Sequence, residues 1–259
     1  MVSPNAMRLL RRLGDLDRFL GAAVPIETGW EFRRWQDGSV LSSEEMSRCE
    51  ELYGESSYFI HRADLLETVR GAVPVGLVHL GARCTGIDLR PDGAILHFAN
   101  GSHSVADVVI GADGVHSTIR GAVVTPFYAQ GAAQAIEDAA ALALCLAVHR
   151  NDPELALDVY QRVRIPRAGR IQQLSHSRKD INRLPDGPEQ QRRDAELCKG
   201  DALVRSGWIY AYDAEDAARQ ALSKELTDDL VEDGRYIALV VAEAVRPTFV
   251  LGRQPKRTP

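Results

Sequence analysis

Cysteine is scarce and scattered: Cys49, Cys84, Cys145 and Cys198 are the only four, with no CxxC pair and no histidine at zinc-ligand spacing. That excludes a disulfide scaffold and a zinc ribbon, and it predicts free thiols, a reducing cytoplasmic setting and no structural metal. Long apolar runs are missing as well. Ala139 to Val148 is the longest stretch without a polar residue, about half of what a bilayer crossing needs. No basic segment followed by an apolar core and a small-residue cleavage site stands at the N-terminus, so neither a membrane helix nor a secretory leader is expected. An excess of positive charge is also absent. The 31 Lys and Arg against 36 Asp and Glu leave a formal charge of -5, which argues against a surface for nucleic acid. The clusters Arg8, Arg11, Arg12 and Arg162, Arg164, Arg167, Arg170 fall at helical spacing and read as solvated faces.

What is present is ordinary globular material. The 259 residues are 45% hydrophobic and 26% charged, enough to bury roughly 70 to 75% of the unfolded surface. Ser3-Pro4-Asn5 opens a helix: Ser3 suits the cap, Pro4 the first helical position, and Met7, Leu9, Leu10, Leu13 and Leu16 supply an apolar stripe that Gly14 or Gly21 ends or bends. From Gly29 the pattern alternates, with Asp37-Gly38 as a tight turn before Ser39, Val40 and Leu41. Tyr58-Phe59-Ile60 reads as a strand running into a helix from His61 that ends at Gly71 and Pro74. Leu77 to Leu80, Thr85 to Leu89 and Ala94 to Phe98 read as strands, the last two joined by Pro91-Asp92-Gly93, with Asn100-Gly101 as the next turn. Asp107 to Ala112 reads as a buried strand around Val108-Val109-Ile110. The rest is helical: Gln134 to Arg150, then a helix capped by Asp152-Pro153 that Pro166 kinks or restarts and that continues to about Asn182, before the turn Leu184 to Pro188. This order predicts an α/β fold with one mixed sheet, and a frayed tail at the C-terminus.

Three places carry chemistry. The string Asp107 to Arg120 runs a buried strand into Gly111-Ala112-Asp113-Gly114, where free N–H groups and a carboxylate meet at a sheet edge fit for a phosphate or ribose. The plainer reading of Asp113-Gly114 is a turn that caps a helix. Arg62 stands in the first turn of its helix, where a cation opposes the dipole by ~0.3 to 1 kcal/mol. It is compensated either by Asp113 or a ligand phosphate, or by a surface pair with Glu67 or Asp64. At Gln130-Gly131-Ala132 a glycine at a helix start allows close approach to exposed N–H groups, or the segment is simply an Ala-rich helix with Glu137 and Asp138 as its N-terminal charge. The seven histidines form no HxxxH or HExxH pattern and no serine sits in GxSxG, so metal and serine-nucleophile catalysis have no support and no catalytic residue is assigned.

In order along the chain, Ser3-Pro4-Asn5-Ala6 with Leu9-Leu10-Arg11-Arg12-Leu13-Gly14, His61-Arg62-Ala63-Asp64-Leu65-Leu66, Gly111 to Ser117, and Gln130-Gly131-Ala132 through Ile136-Glu137-Asp138-Ala139 resemble the FAD-dependent aromatic hydroxylases, the salicylate hydroxylase-like group of flavoprotein monooxygenases most closely. The similarity continues to about residue 222 through Tyr160, Pro166, Arg167, Leu184 to Pro188 and Trp208-Ile209-Tyr210. The resemblance implies a partial FAD-binding domain of the glutathione reductase-like type over 1–150, the family's C-terminal helical segment over 151–222 and an unmatched tail over 223–259. It implies Arg62, Asp113 and Gly114 near the FAD pyrophosphate, Gly131 and Ala132 on the flavin pyrimidine edge, NAD(P)H as reductant, and a small aromatic acid hydroxylated with oxygen. The chain departs from the family in lacking the first strand with its GxGxxG turn. It also has only Gly121 to Thr125 where the family carries its substrate-binding sheet. Two outcomes are therefore expected: a shortened FAD-dependent monooxygenase, or a non-catalytic remnant with weak or no FAD binding that self-associates through exposed core surface.

Overall fold

The computed structural model describes residues 1–13, 16–27, 29–90, 93–112 and 129–232, and its α-helices in chain order are α1 (Pro4–Leu13), α2 (Leu16–Ala22), α3 (Cys49–Tyr53), α4 (Arg62–Gly71), α5 (Gly131–Val148), α6 (Pro153–Asn182), α7 (Pro188–Leu197), α8 (Ala202–Arg205), α9 (Gly207–Tyr210) and α10 (Ala214–Glu232). Helix α1 (Pro4–Leu13) begins where the Ser3-Pro4 pair predicts, with the Ser3 carbonyl accepting from the N–H groups of Ala6 and Met7. Its apolar residues point two ways. Leu9 faces a helical core, while Met7 and Leu10 face a second cluster with Phe19 of α2 (Leu16–Ala22). Leu13, at the end of the stripe, is exposed.

The helical core comes from α5 (Gly131–Val148), α6 (Pro153–Asn182) and α10 (Ala214–Glu232), with Ala141, Cys145, Ala156, Val159, Ala214, Ala218 and Leu222 packed around Leu9. Small side chains let these helices approach closely, as ridges-into-grooves packing requires. By length and composition α5 is apolar enough to cross a membrane. Here its packed face lies against α1, α6 and α10, and it carries the fully buried Glu137. Helix α6 starts on the Asp152 side-chain cap and continues through Pro166 to Asn182, so the proline does not restart it. A proline in a helix interior forfeits a ladder hydrogen bond and costs about 3 kcal/mol. The arginines on either side of it, Arg164 and Arg167, are anchored in the core. Helix α10 runs without a break across residue 222.

Among the described residues, strands are short and pair only antiparallel. β1 (Ala23–Pro25) pairs with β4 (Tyr58–Ile60), β2 (Glu31–Arg33) with β3 (Val40–Ser43) about the Asp37-Gly38 turn, and β5 (Cys84–Arg90) with β6 (Gly93–Phe98) and β7 (His103–Ala106). The mix of helix and strand is as expected, but a single mixed sheet is not what forms among the described residues. Leu77 to Leu80 and Val108 to Ile110 are not strands, and β7 takes the edge beside β6 instead. The reason is physical: a parallel strand needs backbone partners on its flanks and cover on both faces, and an apolar run without them does not hold an extended register. Leu80 is 82% exposed and Ile110 59%. Of the expected Pro91-Asp92-Gly93 turn, Pro91 and Asp92 lie outside the described residues, and Gly93 opens β6 at φ +140°.

A third cluster, Ile26, Met46, Cys49, Leu203, Ile209 and Tyr210, joins the segments on either side of the β2–β3 hairpin to the C-terminal segment. Beside it the carboxylate of the buried Glu44 accepts from Ser206 Oγ at 2.7 Å and Tyr210 Oη at 3.3 Å. Burial pushes the Glu44 carboxyl above its ordinary range, and these two bonds only partly offset it. Gly29 is required nearby, since a Cβ there would lie 0.9 Å from the Glu44 carbonyl oxygen.

Candidate functional site

Of the arginines read as solvated faces, Arg11, Arg12, Arg162 and Arg170 are exposed as expected, while Arg8 is half-buried and Arg164 and Arg167 are turned into the core. Arg8 donates to the carbonyls of Tyr53 and Tyr212, Arg11 forms a bidentate pair with Glu55 at 2.6 and 2.8 Å, and Arg12 holds Asp213 and Glu215. Arg164 and Arg167 are deeply buried. Helical spacing places a charge on a face, but it does not tell whether that face meets water or a carboxylate on another helix.

The carboxylate they meet belongs to Glu137, which is 0% exposed. Its Oε2 accepts from Arg164 Nη1 at 2.6 Å, and its Oε1 from Arg167 Nη2 at 3.0 Å and Asn5 Nδ2 at 2.6 Å. Arg164 also donates to Asp138 at 2.8 Å and to Gln134 at 2.9 Å. Burial disfavours the Arg164 charge, but the carboxylates of Glu137 and Asp138 outweigh it and hold its pKa above the ordinary guanidinium value. Arg167 donates to the carbonyls of Trp208 and Ile209 and lies 4.2 Å from the Tyr212 ring centroid. Ions taken from water cost several kcal/mol each, and only this density of partners offsets that.

The network ends at the first turn of α5. Gln130, the residue before Gly131, is buried, with its side chain turned away from the helix to Asn5 and Ser3. The first intrahelical bond runs from the Gln134 N–H to the Gln130 carbonyl, so the N–H groups of Gly131 and Ala132 have no acceptor in the helix. Both residues are exposed, and no acidic side chain stands in this turn. Ala129 enters it at φ 49°, a conformation that costs an L-residue ~1–2 kcal/mol. The turn is an open, partly positive edge, suited to an acceptor or an anion.

Arg62 sits in the first turn of α4 (Arg62–Gly71), exposed and without an ion pair among the described residues. The alternative surface pair with Glu67 does not form, because Glu67 meets Arg18 and Arg70. Leu65 of α4 and Ala133 and Ile136 of α5 pack on the same cluster. Asp113 and Gly114 lie outside the described residues. Asn5, Glu137, Arg164 and Arg167 were not singled out as a site by sequence reasoning. The available signal was an acidic pair in an Ala-rich helix facing an Arg-x-x-Arg repeat one helix later.

No family model matches the chain. The chain is 27% identical over 343 residues to a 3-amino-4-hydroxybenzoate 2-monooxygenase of Streptomyces platensis, covering 82% of this chain and 86% of that one. Since those 343 aligned residues take in only 82% of 259, more than a third of the aligned length has no counterpart here. It is 44% identical over 131 residues to a 3-amino-4-hydroxybenzoate 2-monooxygenase of Streptomyces cremeus, a match that spans 49% of this chain and a third of that relative's length, 33%. Among solved structures, a salicylate hydroxylase in complex with substrate superposes with a TM-score of 0.69 at 19% identity, over 85% of this chain and 89% of that one, which shows a shared fold. By its motifs, its relatives and its fold, the chain is a relative of the FAD-dependent aromatic hydroxylases, the salicylate hydroxylase-like flavoprotein monooxygenases, and matches them in part.

Proposed function

We propose that the chain holds the pyrimidine edge of FAD at the start of α5 and acts as a monooxygenase on a small aromatic acid, with NAD(P)H as reductant. The observation that carries this reading is the pair of N–H groups at the exposed residues Gly131 and Ala132, which have no acceptor among the described residues, in a turn with no acidic side chain and with no described atom within 4 Å of a side chain at Gly131. That donor set fits a carbonyl edge that gathers negative charge. FAD, when bound, supplies the redox chemistry between NAD(P)H and oxygen. The chain's part is to donate from Gly131 and Ala132, to present Arg62, with Asp113 and Gly114, toward the pyrophosphate, and to hold the aromatic ring away from water. In this reading the partial FAD-binding portion is 1–150, the family's helical segment 151–222, and 223–259 a tail. The first two blocks share one core through Leu9, Ala141 and Val159.

A second reading, a remnant with weak or no FAD binding that acts through self-association, draws on a different observation. Val75, Leu80, Leu89 and Val105 are all largely exposed, and the chain carries no GxGxxG turn for the cofactor's other half. Reconstituting the purified chain with FAD separates the two. Retained yellow colour with aromatic-acid-dependent NAD(P)H oxidation is expected from the first reading, and a colourless protein with neither would leave the second.

A further inference from the structure

One side chain joins the buried carboxylate of Glu137 to the open edge of α5. The Asn5 amide donates to Glu137 Oε1 at 2.6 Å and to Gln130 Oε1 at 3.2 Å, while its own oxygen accepts from Ser3 Oγ at 2.7 Å. Gln130 Nε2 closes the ring by donating to Ser3 Oγ at 3.2 Å. Ser3, Asn5, Gln130 and Glu137 are each more than nine-tenths buried. None of these bonds caps α5: the Gln130 side chain is held by Ser3 and Asn5, and Gln130 is not one of the short polar residues that cap a helix. Among the described residues, the N–H groups of Gly131 and Ala132 have no acceptor.

Charge does not work against this edge. Glu137 and Asp138 lie beyond the first turn of α5, Arg164 pairs with both of them and Arg167 with Glu137, and the first turn itself holds no acidic side chain.

We propose that Asn5 and Gln130 are positioning residues that hold the Gly131 and Ala132 N–H groups in place, uncapped, before a cofactor arrives. This rests on the FAD reading, which it deepens, because it assigns the order of the flavin edge to a side chain of α1 and to the residue that precedes α5. The preorganised edge then loses little freedom on binding, which is where rigid sites gain affinity.

The test uses Gln130→Met in the full chain, which removes the bonds to Asn5 and Ser3 and leaves the Glu137 ion pairs intact. Two measurements are made: amide order parameters at Gly131 and Ala132 in the ligand-free chain, with Val159 of α6 as internal control, and FAD affinity by fluorescence titration. The expected result is loss of order at Gly131 and Ala132 from the rigid to the flexible range with Val159 unchanged, together with about tenfold weaker FAD binding. Unchanged order parameters overturn the proposal, and so does loss of order with unaltered affinity. If the unaltered chain binds no FAD, the FAD reading fails by itself, and the order parameters alone decide whether the edge is positioned. Should Gln130→Met not fold, Ser3→Ala opens the same ring and is read the same way.

Discussion

Glu137 and Arg164 stand 2.6 Å apart, with the carboxylate 0% and the guanidinium 2% exposed, at the crossing of α5 and α6. Breaking a buried pair leaves one ion without a counter-charge, which costs about 3–5 kcal/mol. Glu137→Gln is therefore expected to lower the unfolding free energy by about 3–5 kcal/mol, read by urea unfolding with far-ultraviolet circular dichroism. A loss below about 1 kcal/mol would show that the pair is no more than a surface contact.

Glu44 sets a pH dependence of the opposite sense to most carboxylates. Burial raises its pKa in the folded chain above the unfolded value of about 4.3. The folded state then holds the proton more tightly than the unfolded state. Its contribution is full below the unfolded pKa and is lost as pH rises through the raised folded pKa. Glu44→Gln keeps the shape and removes the titration, so the variant's stability relative to the parent should grow as pH rises from the unfolded pKa through the raised folded one. Thermal melts across that range check this, and parallel curves would contradict it.

Asp213 behaves in the ordinary way. Burial acts to raise its pKa, but the bonds from Arg12 and the N–H group of Asp216 outweigh it and hold the carboxyl below its usual range. Its stabilisation is present above the unfolded pKa and is lost as pH falls through the lowered one. Asp213→Asn should cost stability at neutral pH and converge with the parent in acid, measured by the same melts.

Gly131 is the place where binding and stability separate. A side chain there would meet no atom within 4 Å, so Gly131→Val should shift unfolding by no more than about 0.5–1 kcal/mol. It should also obstruct the flavin edge and weaken FAD binding by about tenfold or more. Equal FAD affinity in parent and variant would remove Gly131 from the site.

The apolar side chains around β5 to β7 give a fourth measurable property. Leu80 and Leu89 are 82% and 86% exposed. Sedimentation velocity should show mass rising with protein concentration, and Leu80→Lys with Leu89→Lys should reduce it, since large exposed apolar patches drive association. Concentration-independent monomers in the parent would refute this.

Local signals were legible where local physics decides. The Ser3-Pro4 start of α1, the Asp152-Pro153 start of α6 and the Asp37-Gly38 hairpin depend on a few neighbouring residues and stand as read. The Gly131-Ala132 edge was visible for the same reason, as a glycine at a helix start. Burial was not. Arg8, Arg164 and Arg167 have the spacing of solvated residues; the Tyr53 and Tyr212 carbonyls turn Arg8 inward, and the meeting of α5 and α6 at Glu137 does so for Arg164 and Arg167.

Strand formation marks the same boundary. Val108-Val109-Ile110 has every local property of a core strand, and His103 to Ala106 has few, yet the second pairs with β6 and the first does not pair. By itself the sequence determined helix starts, turns, the absence of zinc-type cysteine motifs and the motif order that identifies the chain's relatives, because these reside in residue type and spacing. The tertiary structure alone decided which charges are buried, which strands find partners and which N–H groups stay open at α5. Each of those depends on what another part of the chain brings alongside, and a hydrogen bond or ion pair has no existence until its second partner is there.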